Sequence, residues 1–329
     1  MPFYEGNKHS RMPGRWRNWV LLAPFAVILW ACAGPQLQQD FERPEPSYAL
    51  APATTGTLAD IAARIHAANG PEYSGFHLLD GSHESLAWRL ALIDSAVSSI
   101  DVMTYLWYPD ASGRLVLERA VLAAHRGVHV RLVVDDLMTI GQEQLHVDLE
   151  RHPNIEVRLF NPWEKRDLLS RGGEMVAEME RLNTRMHDKL LIADGRAAII
   201  GGRNIGDHYF GLNRDYNFHD LDVLAFGEIA QESNGMFDEF WNSEWVASAA
   251  NLTTEPDPER AAASWTKLQQ KNRDAEELSS FPIEPKDWTQ DFADLEPRLH
   301  PGTGDLVYDQ VSAEGVTQGM LGQMFAIFD

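Results

Sequence analysis

The sequence predicts an α/β fold in which helices pack on a sheet, and two kinds of pattern carry this prediction. Ile100 to Trp107 and Val128 to Asp136 are short apolar runs with the composition of core strands. Apolar residues recur at helical spacing between Ser82 and Ser99, and a second helical segment runs from Gly113 to Arg126, where Gly127 can end it. Strands that alternate with helices in this way are typical of α/β layers.

A β-hairpin is predicted further along the chain. Lys189 to Ala193 and Ala197 to Ile200 are apolar runs on either side of Asp194-Gly195, a dipeptide that tolerates the positive φ angles of a tight turn. Strand side chains alternate between faces, so His187 and Lys189 project together, and Asn204 follows the second strand. We therefore expect these three polar side chains to converge on one pocket.

The spacing of these residues forms a motif: His187-x-Lys189, four residues, Asp194, six residues, then Gly-Gly202-x-Asn204. It resembles the signature of the phospholipase D superfamily in residue type and in spacing. The resemblance implies that His187 attacks phosphorus to form a phosphohistidine, while Lys189 and Asn204, with Gly202 beside them, bind the nonbridging phosphate oxygens. Asp194 has two alternative interpretations: it helps to order the site, or it only forms the hairpin turn.

A second acidic region follows in the run Asp220-Leu-Asp222, which predicts a strand that begins with two carboxylates on one face. A nucleophilic imidazole needs an acceptor on its second nitrogen, and the resemblance implies an acidic residue from this region in that role. Asp220 is the first choice and Asp222 the second; the alternative is a solvated strand end. His208 and His219 are assigned no role, and neither a metal nor another cofactor is expected, because the histidine spacings match no common ligand pattern.

The resemblance extends over roughly Tyr73 to Trp245 and includes the early strands and the segments 205–210 and 240–245, which are similar to bacterial cardiolipin synthase-like members of the superfamily. It implies a layered sandwich with a mixed β-sheet flanked by helices, as one half of a pseudo-two-fold bilobal enzyme. It also implies a phospholipid substrate such as phosphatidylglycerol. Three residues on or near a predicted core strand are assigned no catalytic role, because paired aromatic residues on a strand face are more often core: Tyr105, Trp107 and Asp110.

The motif occurs once in this chain. Of the twelve histidines, only His187 begins a His-x-Lys sequence, whereas the cardiolipin synthase-like enzymes carry the motif twice. The second histidine is needed to protonate the leaving alcohol and to activate the incoming one. We therefore predict that a second motif comes in trans, from a homodimer or from a partner that carries the second half. The alternative is a truncated half without catalytic activity.

The N-terminal region predicts export and attachment to a membrane. Residues 1–32 place basic residues before an apolar run that resembles a secretory signal, and Cys32 stands where a lipoprotein cysteine would be lipidated. Without processing, the same segment would serve as an uncleaved anchor. Residues 33–56 are polar and contain several prolines, which predicts a tether. The predicted location is the membrane of the bacterial cell envelope.

The remainder of the chain divides into two predicted regions. Residues 57–250 form the phospholipase D-like catalytic half. Residues 251–329 are polar and proline-containing at first, which predicts a connector with helical pieces. A helix from Gly315 to Phe328 is then expected at the start of a second half that is either missing or supplied in trans.

The net charge helps to choose between substrates. A formal charge of −21 argues against nucleic acid, because neutralising phosphates requires a basic face. Arg185 and Arg203 either line a basic pocket with Lys189 or are structural ion-pair partners. The predicted function is a phosphatidyltransferase that acts through a phosphohistidine on a phospholipid at a membrane. The alternatives are hydrolysis of a phospholipid or a nucleic-acid phosphodiester, and a non-catalytic half.

Overall fold

A nine-stranded β-sheet forms the centre of the protein. The structure, a computed structural model, describes residues 43–138, 143–163, 185–251, 258–312 and 315–317. The order of strands across the sheet is β8-β4-β3-β2-β5-β6-β7-β1-β9, and β10 and β11 pair separately. The strands are β1 (Ser74–Leu79), β2 (Ser99–Thr104), β3 (His129–Asp135), β4 (Ile155–Phe160), β5 (Lys189–Ala193), β6 (Ala197–Gly201), β7 (Asp222–Gly227), β8 (Val246–Ser248), β9 (His300–Gly302), β10 (Gln310–Ser312) and β11 (Gly315–Thr317). The α-helices of the described residues are α1 (Thr57–Asn69), α2 (Ser82–Ser95), α3 (Ala111–His125), α4 (Glu143–Leu149), α5 (Glu228–Trp241), α6 (Pro258–Arg273) and α7 (Thr289–Leu295).

The sheet contains both parallel and antiparallel pairs. β2, β3 and β4 are parallel neighbours, because α3 and α4 carry the chain back from the end of one strand to the beginning of the next. β5, β6 and β7 are joined in antiparallel pairs, as are β2 with β5 and β1 with β7. The prediction of an α/β fold with a mixed sheet flanked by helices is confirmed.

The predicted elements are present, but several of their ends differ. The helix expected from Gly113 begins two residues earlier, at Ala111, because the carboxylate of Asp110 accepts a hydrogen bond from the Gly113 N–H at 3.1 Å and so caps the helix. The helix expected to reach Ser99 ends at Ser95, and residues 97–99 donate their N–H groups to Asp194 instead.

Helices and extended segments cover both faces of the sheet, so that two apolar cores form. Alternate residues of each strand serve the two cores: Val102 and Leu191 belong to the larger core, with α1 to α4 and α7. Met103 and Leu190 belong to the smaller core, where α5 contributes Trp241 among its aromatic residues. The sheet is therefore buried on both sides, which fixes the positions of the strand ends that carry the polar motif.

The predicted tether lies partly within the described residues, and there it is bound to the domain. Residues 43–56 run extended across α5 and the hairpin. The main-chain N–H of Ser47 donates to the side-chain oxygen of Asn242 at 3.1 Å, and the N–H of Ala49 donates to Asp238 at 3.0 Å. These bonds fasten a segment whose composition predicts a free linker; we call residues 43–56 the strap.

The region predicted as a connector adds to the sheet. β9 pairs with β1 at its outer edge, and α6 and α7 precede it in the chain. The helix predicted from Gly315 is wrong at its start, because Gly315 to Thr317 form β11 and pair with β10. The remainder of that prediction lies outside the described residues, as do the predicted signal with Cys32 and residues 33–42. Within the described ranges, no helix has both the length and the apolar character needed to cross a bilayer.

Candidate functional site

The polar motif lies at one end of the central strands, where β2, β6 and β1 end and β5 and β7 begin. The pairing register fixes this arrangement, because Met103 lies opposite Leu190 and Gly201 lies opposite Asp222. His187 immediately precedes β5, and Asn204 follows β6, so the hairpin brings both residues to the same end of the strands. The structure thus places His187, Lys189 and Asn204 together, with the side chains of Asn204 and Lys189 buried and His187 exposed.

His187 and Lys189 are in direct contact. The ammonium nitrogen Nζ of Lys189 lies 3.2 Å from Nδ1 of His187 and also donates to the main-chain oxygen of His187. Loss of water from part of the imidazole ring lowers the pKa of His187, and the Lys189 charge lowers it further, whereas the carboxylates of Asp309 and Asp220 act in the opposite direction. The neutral imidazole is the nucleophilic form. The local field therefore favours a histidine that can attack at neutral pH.

Lys189 carries its charge in a dry environment. Burial lowers the pKa of Lys189 to about 8, and the carboxylates of Asp188, Asp220 and Asp309 offset part of that effect. The ammonium also lies 5.6 Å from the centre of the Tyr105 ring. An ammonium with such a pKa is still mostly protonated at neutral pH, and a charge shielded from water stabilises a phosphate oxygen more strongly than an exposed one.

The amide of Asn204 is held in one orientation. Its oxygen accepts a hydrogen bond from the Leu106 N–H at 2.9 Å, and its nitrogen donates to the hydroxyl of Tyr209 at 2.8 Å. Because an amide nitrogen has two hydrogens, one N–H of Asn204 can still be donated to a phosphate oxygen. Leu106 follows β2, so the same contact also ties the end of β6 to the end of β2.

Asp220 lies against Gly202, and the glycine makes this position accessible. A Cβ atom on Gly202 would lie 2.0 Å from Oδ1 of Asp220, which is far inside any contact distance. The field of Asp220 raises the pKa of both His187 and Lys189. Gly202 was predicted to bind substrate, and in the structure its lack of a side chain lets the Asp220 carboxylate approach the motif.

Asp222 is engaged differently, although it is only two residues away. Its carboxylate accepts a hydrogen bond from Ser85 at 2.6 Å and pairs with Arg89 at 3.0 Å and with Arg203 at 3.3 Å. Burial acts to raise the pKa of Asp222, but these partners, with Arg89 foremost, outweigh burial and leave the pKa below its usual value. Asp222 thus joins β7 to α2, and Asp220 is the better placed of the two to act on His187.

Asp194 lies at the opposite end of β5 from His187. It occupies the hairpin turn with φ 58°, followed by Gly195 at φ 59°, and its carboxylate accepts hydrogen bonds from the N–H groups of Val97, Ser98 and Ser99. The structure does not bring Asp194 to the other motif residues. Its contacts are those of the turn interpretation, extended by an anchor for the segment between α2 and β2.

The two arginines near the motif are ion-paired. Nη1 of Arg185 lies 2.9 Å from Oδ1 of Asp135, and Arg203 donates to the main-chain oxygens of Leu79 and Asp80 as well as to Asp222. Burial raises the pKa of Asp135 to about 7, with Arg185 opposing that shift. Both arginines therefore have structural partners, whereas the Lys189 ammonium contacts His187.

Sequence reasoning passed over several residues of this site. The strand pattern predicts that Tyr105 belongs to the core, but its ring centroid lies 5.2 Å from that of His187. Tyr209 holds Asn204. The Asp309 N–H donates to Asp188 at 3.3 Å, and burial, followed by the Asp309 charge, raises the pKa of Asp188 to about 7. No local sequence pattern indicates Asp309, because its contact with Asp188 joins residues 121 positions apart in the chain.

The remaining candidates lie away from the motif chemistry. Trp107 donates its indole N–H to the Gly113 oxygen at 3.0 Å, and Asp110 caps α3. His208 stacks on Tyr216, and His219 is exposed. Within the ranges that the structure describes, no three His, Cys, Asp or Glu side chains are grouped so that they could hold a metal ion.

Comparison with known proteins agrees with this geometry. A family model described as cardiolipin synthase, phospholipase D-like domain, matches residues 90–241. Cardiolipin synthase C of Escherichia coli is 37% identical over 218 residues, which are 65% of this chain and 46% of that protein. An uncharacterized protein of Helicobacter pylori is 33% identical over 292 residues, 88% of this chain and 57% of that protein. The chain therefore spans about half the length of the curated relatives it matches.

Two solved structures with distant sequences also match part of this chain. Phosphatidylserine synthase of Haemophilus influenzae has a TM-score of 0.42 at 13% identity, over 65% of this chain and 48% of that chain. Nuc of Salmonella typhimurium, a phospholipase D family member, has a TM-score of 0.36 at 19% identity, over 53% of this chain and 97% of that chain. On its sequence relatives and its family model, this chain belongs to the cardiolipin synthase-like branch of the phospholipase D superfamily.

Proposed function

We propose that this chain supplies one half of the active site of a phosphatidyltransferase that forms a cardiolipin-type lipid through a phosphohistidine on His187. The observation that carries the proposal is the contact of 3.2 Å between Lys189 Nζ and His187 Nδ1 at the strand edge that also holds Asn204. A nucleophile beside two donors for phosphate oxygens is the arrangement that phosphoryl transfer needs. The name of the Escherichia coli relative, cardiolipin synthase C, supports the choice of substrate.

The reaction has two steps in this proposal. The neutral imidazole of His187 attacks the phosphorus of phosphatidylglycerol; a P–N bond forms, the P–O bond to the headgroup breaks, and a histidine of a second motif protonates the departing glycerol. The hydroxyl of a second phosphatidylglycerol then gives its proton to that histidine and attacks phosphorus, which releases His187. The Lys189 ammonium offsets the negative charge of the nonbridging oxygens in both transition states, and the Asn204 amide donates a hydrogen bond to them.

The second motif must come from another polypeptide or another part of the protein, since this chain has one His-x-Lys sequence. We propose a second copy of the chain, or a partner with the second half, as its source. We further propose that residues 1–32, with lipidation at Cys32, hold the domain at a membrane of the cell envelope. Mass spectrometry of the mature N-terminus tests this location, and a purified chain with an unmodified Cys32 and no membrane association would contradict it.

The test of the function combines assembly with product analysis. The full chain is purified, its mass in solution is measured, and it is incubated with phosphatidylglycerol vesicles before the lipids are separated. We expect a dimer, cardiolipin as product and a phosphorylated His187. The variant His187→Ala should abolish both products, whereas His219→Ala, which changes an exposed histidine outside the motif, should leave them unchanged.

Other outcomes would support the alternatives. Phosphatidic acid in place of cardiolipin would indicate that water is the acceptor and that the protein is a hydrolase. Cleavage of oligonucleotides without lipid would indicate a nuclease, which the ion-paired state of Arg185 and Arg203 disfavours. A monomer that never becomes phosphorylated on His187 would indicate a non-catalytic half.

A further inference from the structure

Five aromatic rings form a continuous cluster beside the motif. His208 stacks on Tyr216 with ring centroids 4.5 Å apart, and Phe218 lies 5.6 Å from Tyr216 and 4.8 Å from Tyr209. Tyr108 meets the edge of His208 at 6.2 Å. The Phe218 N–H donates to the His208 oxygen at 2.7 Å, so the loop folds back on itself and holds the rings in place. We call these five residues the aromatic platform.

The platform presents apolar surface to solvent. Tyr216 is 56% exposed, Phe218 is 43% exposed, and Leu221, three positions further along the chain, is 48% exposed. Three large exposed hydrophobic residues thus lie within six positions of the chain. Single exposed apolar residues are common, whereas a contiguous group marks a surface that binds something.

The platform is continuous with the proposed nucleophilic site. Tyr209 belongs to the cluster through its ring, and its hydroxyl accepts the hydrogen bond that orients Asn204. Asp220, whose field reaches His187, lies in sequence between Phe218 and Leu221. A molecule whose phosphodiester lies against His187 and Asn204 would therefore extend over these rings if it continues in this direction.

The charges around the platform indicate which kind of molecule it can bind. In residues 207–221 the only lysine or arginine is Arg214, and its guanidinium pairs with Glu276 at 3.2 Å. A polyanion such as nucleic acid requires several cations along its path. Uncharged, apolar groups attached to the phosphate fit this surface, since aromatic side chains bind the interfacial part of lipids.

We propose that the aromatic platform is the subsite for the acylglycerol part of a phospholipid whose phosphodiester lies at His187. This inference rests on the proposed function, because it assumes that the motif receives a phospholipid. It adds the residues that distinguish a lipid from a deacylated headgroup. Tyr216 and Phe218 cover the glycerol backbone and the first methylenes of the acyl chains.

The test compares two soluble probes that share a headgroup. Dihexanoylphosphatidylglycerol, used below its micellar concentration, and glycerophosphoglycerol are titrated into the full chain, and affinities are measured by calorimetry without turnover. We expect the acylated probe to bind at least tenfold more tightly. The double variant Tyr216→Ser/Phe218→Ser should reduce that preference by about tenfold, the effect of losing roughly 60 Å² of apolar contact.

A matched control removes equally exposed residues elsewhere. Tyr48 and Leu50 of the strap are 68% and 44% exposed, and the variant Tyr48→Ser/Leu50→Ser should retain the full acyl preference. The binding of inorganic phosphate and the unfolding midpoint should be the same in both double variants. That result would show that the platform variant is folded and that its phosphate site is intact.

Four results would overturn the inference: no preference for the acylated probe in the unmodified chain, a preference that survives the platform variant, a platform variant that loses oligonucleotide binding instead, or one that loses self-association instead. These results are separate from the test of the reaction. A chain that forms phosphohistidine without acyl preference overturns this inference alone. A chain with acyl preference but no phosphohistidine overturns the proposed reaction and leaves a lipid-binding half.

Discussion

Oδ1 of Asp194 accepts a hydrogen bond from the main-chain N–H of Ser98 at 2.7 Å, across 96 positions of the sequence. The same carboxylate accepts bonds from Val97 and Ser99. The motif aspartate therefore fastens the hairpin to the beginning of β2, and His187 lies at the other end of β5. We therefore expect Asp194 to contribute mainly to the stability of the fold.

The variant Asp194→Ala should separate stability from chemistry. We expect its free energy of unfolding to fall by about 3 kcal/mol, because three N–H groups lose a charged acceptor and alanine is disfavoured at positive φ. Urea unfolding measures this loss, and Asp215→Ala, which changes an exposed carboxylate, is the control. Inorganic phosphate binding of the folded fraction should be unchanged; a stable variant that no longer binds phosphate would instead place Asp194 in the site.

Gly202 and Asp220 should behave as one unit. The variant Gly202→Ala inserts a Cβ 2.0 Å from Oδ1 of Asp220, so the carboxylate must leave its present position. We expect Gly202→Ala and Asp220→Ala each to lower the yield of phosphohistidine by about tenfold, and the double variant to be no worse than either, as for groups that act together.

The control for this pair is a glycine with open space around it. In α5, a Cβ on Gly235 would contact nothing within 4 Å, so Gly235→Ala should stabilise the protein by about 0.5–1 kcal/mol and leave the phosphohistidine yield unchanged. Strictly additive losses in the double variant of Gly202 and Asp220 would show that the two residues act independently.

Phosphate binding should depend on pH through Lys189. Burial lowers the pKa of Lys189 to about 8, so the ammonium is present below that pH and is lost as the pH rises through it. We expect the affinity for inorganic phosphate to fall between pH 7 and pH 9. In Lys189→Arg the guanidinium stays charged over this range, so the fall should disappear even if the affinity at pH 7 is lower. An unchanged profile in the variant would assign the fall to another group.

Arg131 is expected to be important for stability. Its guanidinium pairs with Asp101 at 2.6 Å and with Asp238 at 2.8 Å, and its side chain is 1% exposed. The variant Arg131→Leu leaves Asp101 buried without this partner, which should lower the free energy of unfolding by about 3–5 kcal/mol. Chemical unfolding measures the change. The double variant Arg131→Leu/Asp101→Leu should recover part of it, and no recovery would show that the loss comes from packing alone.

Much of the fold could be predicted because its signals are local. The hairpin, the strands β2 and β3 and the helices α2 and α3 follow from apolar periodicity and from one Asp-Gly turn. The register of the hairpin then fixes which side chains lie at the same end of the strands, so the placement of His187, Lys189 and Asn204 could be inferred from the sequence alone. The sequence alone does not separate Asp220 from Asp222. The structure favours Asp220, because Asp222 is buried in ion pairs with Arg89 and Arg203, which come from distant parts of the chain.

The rest depends on contacts between distant parts of the chain. The polar composition of the strap predicts a linker, yet its main-chain N–H groups bond to the side chains of Asp238 in α5 and of Asn242 just after it. The loop from 207 to 218 has no periodicity, and its rings come together only because the Phe218 N–H returns to His208. Asp309 reaches the motif from a region whose proline content predicts irregular chain. The helix predicted from Gly315 is wrong at its first three residues, because Gly315 to Thr317 pair with β10 instead.

The position of β1 has a consequence for how the protein is assembled during synthesis. Ser74 lies opposite Gly227 on one side and Gly302 on the other, so β1, the first strand of the described residues, acquires its two neighbours only after β7 and β9, far along the chain, have been made. Contacts of such long sequence separation make folding slow. Until then an unpaired strand edge is open to other chains, and we expect expression at low temperature or with chaperones to increase the yield of soluble protein.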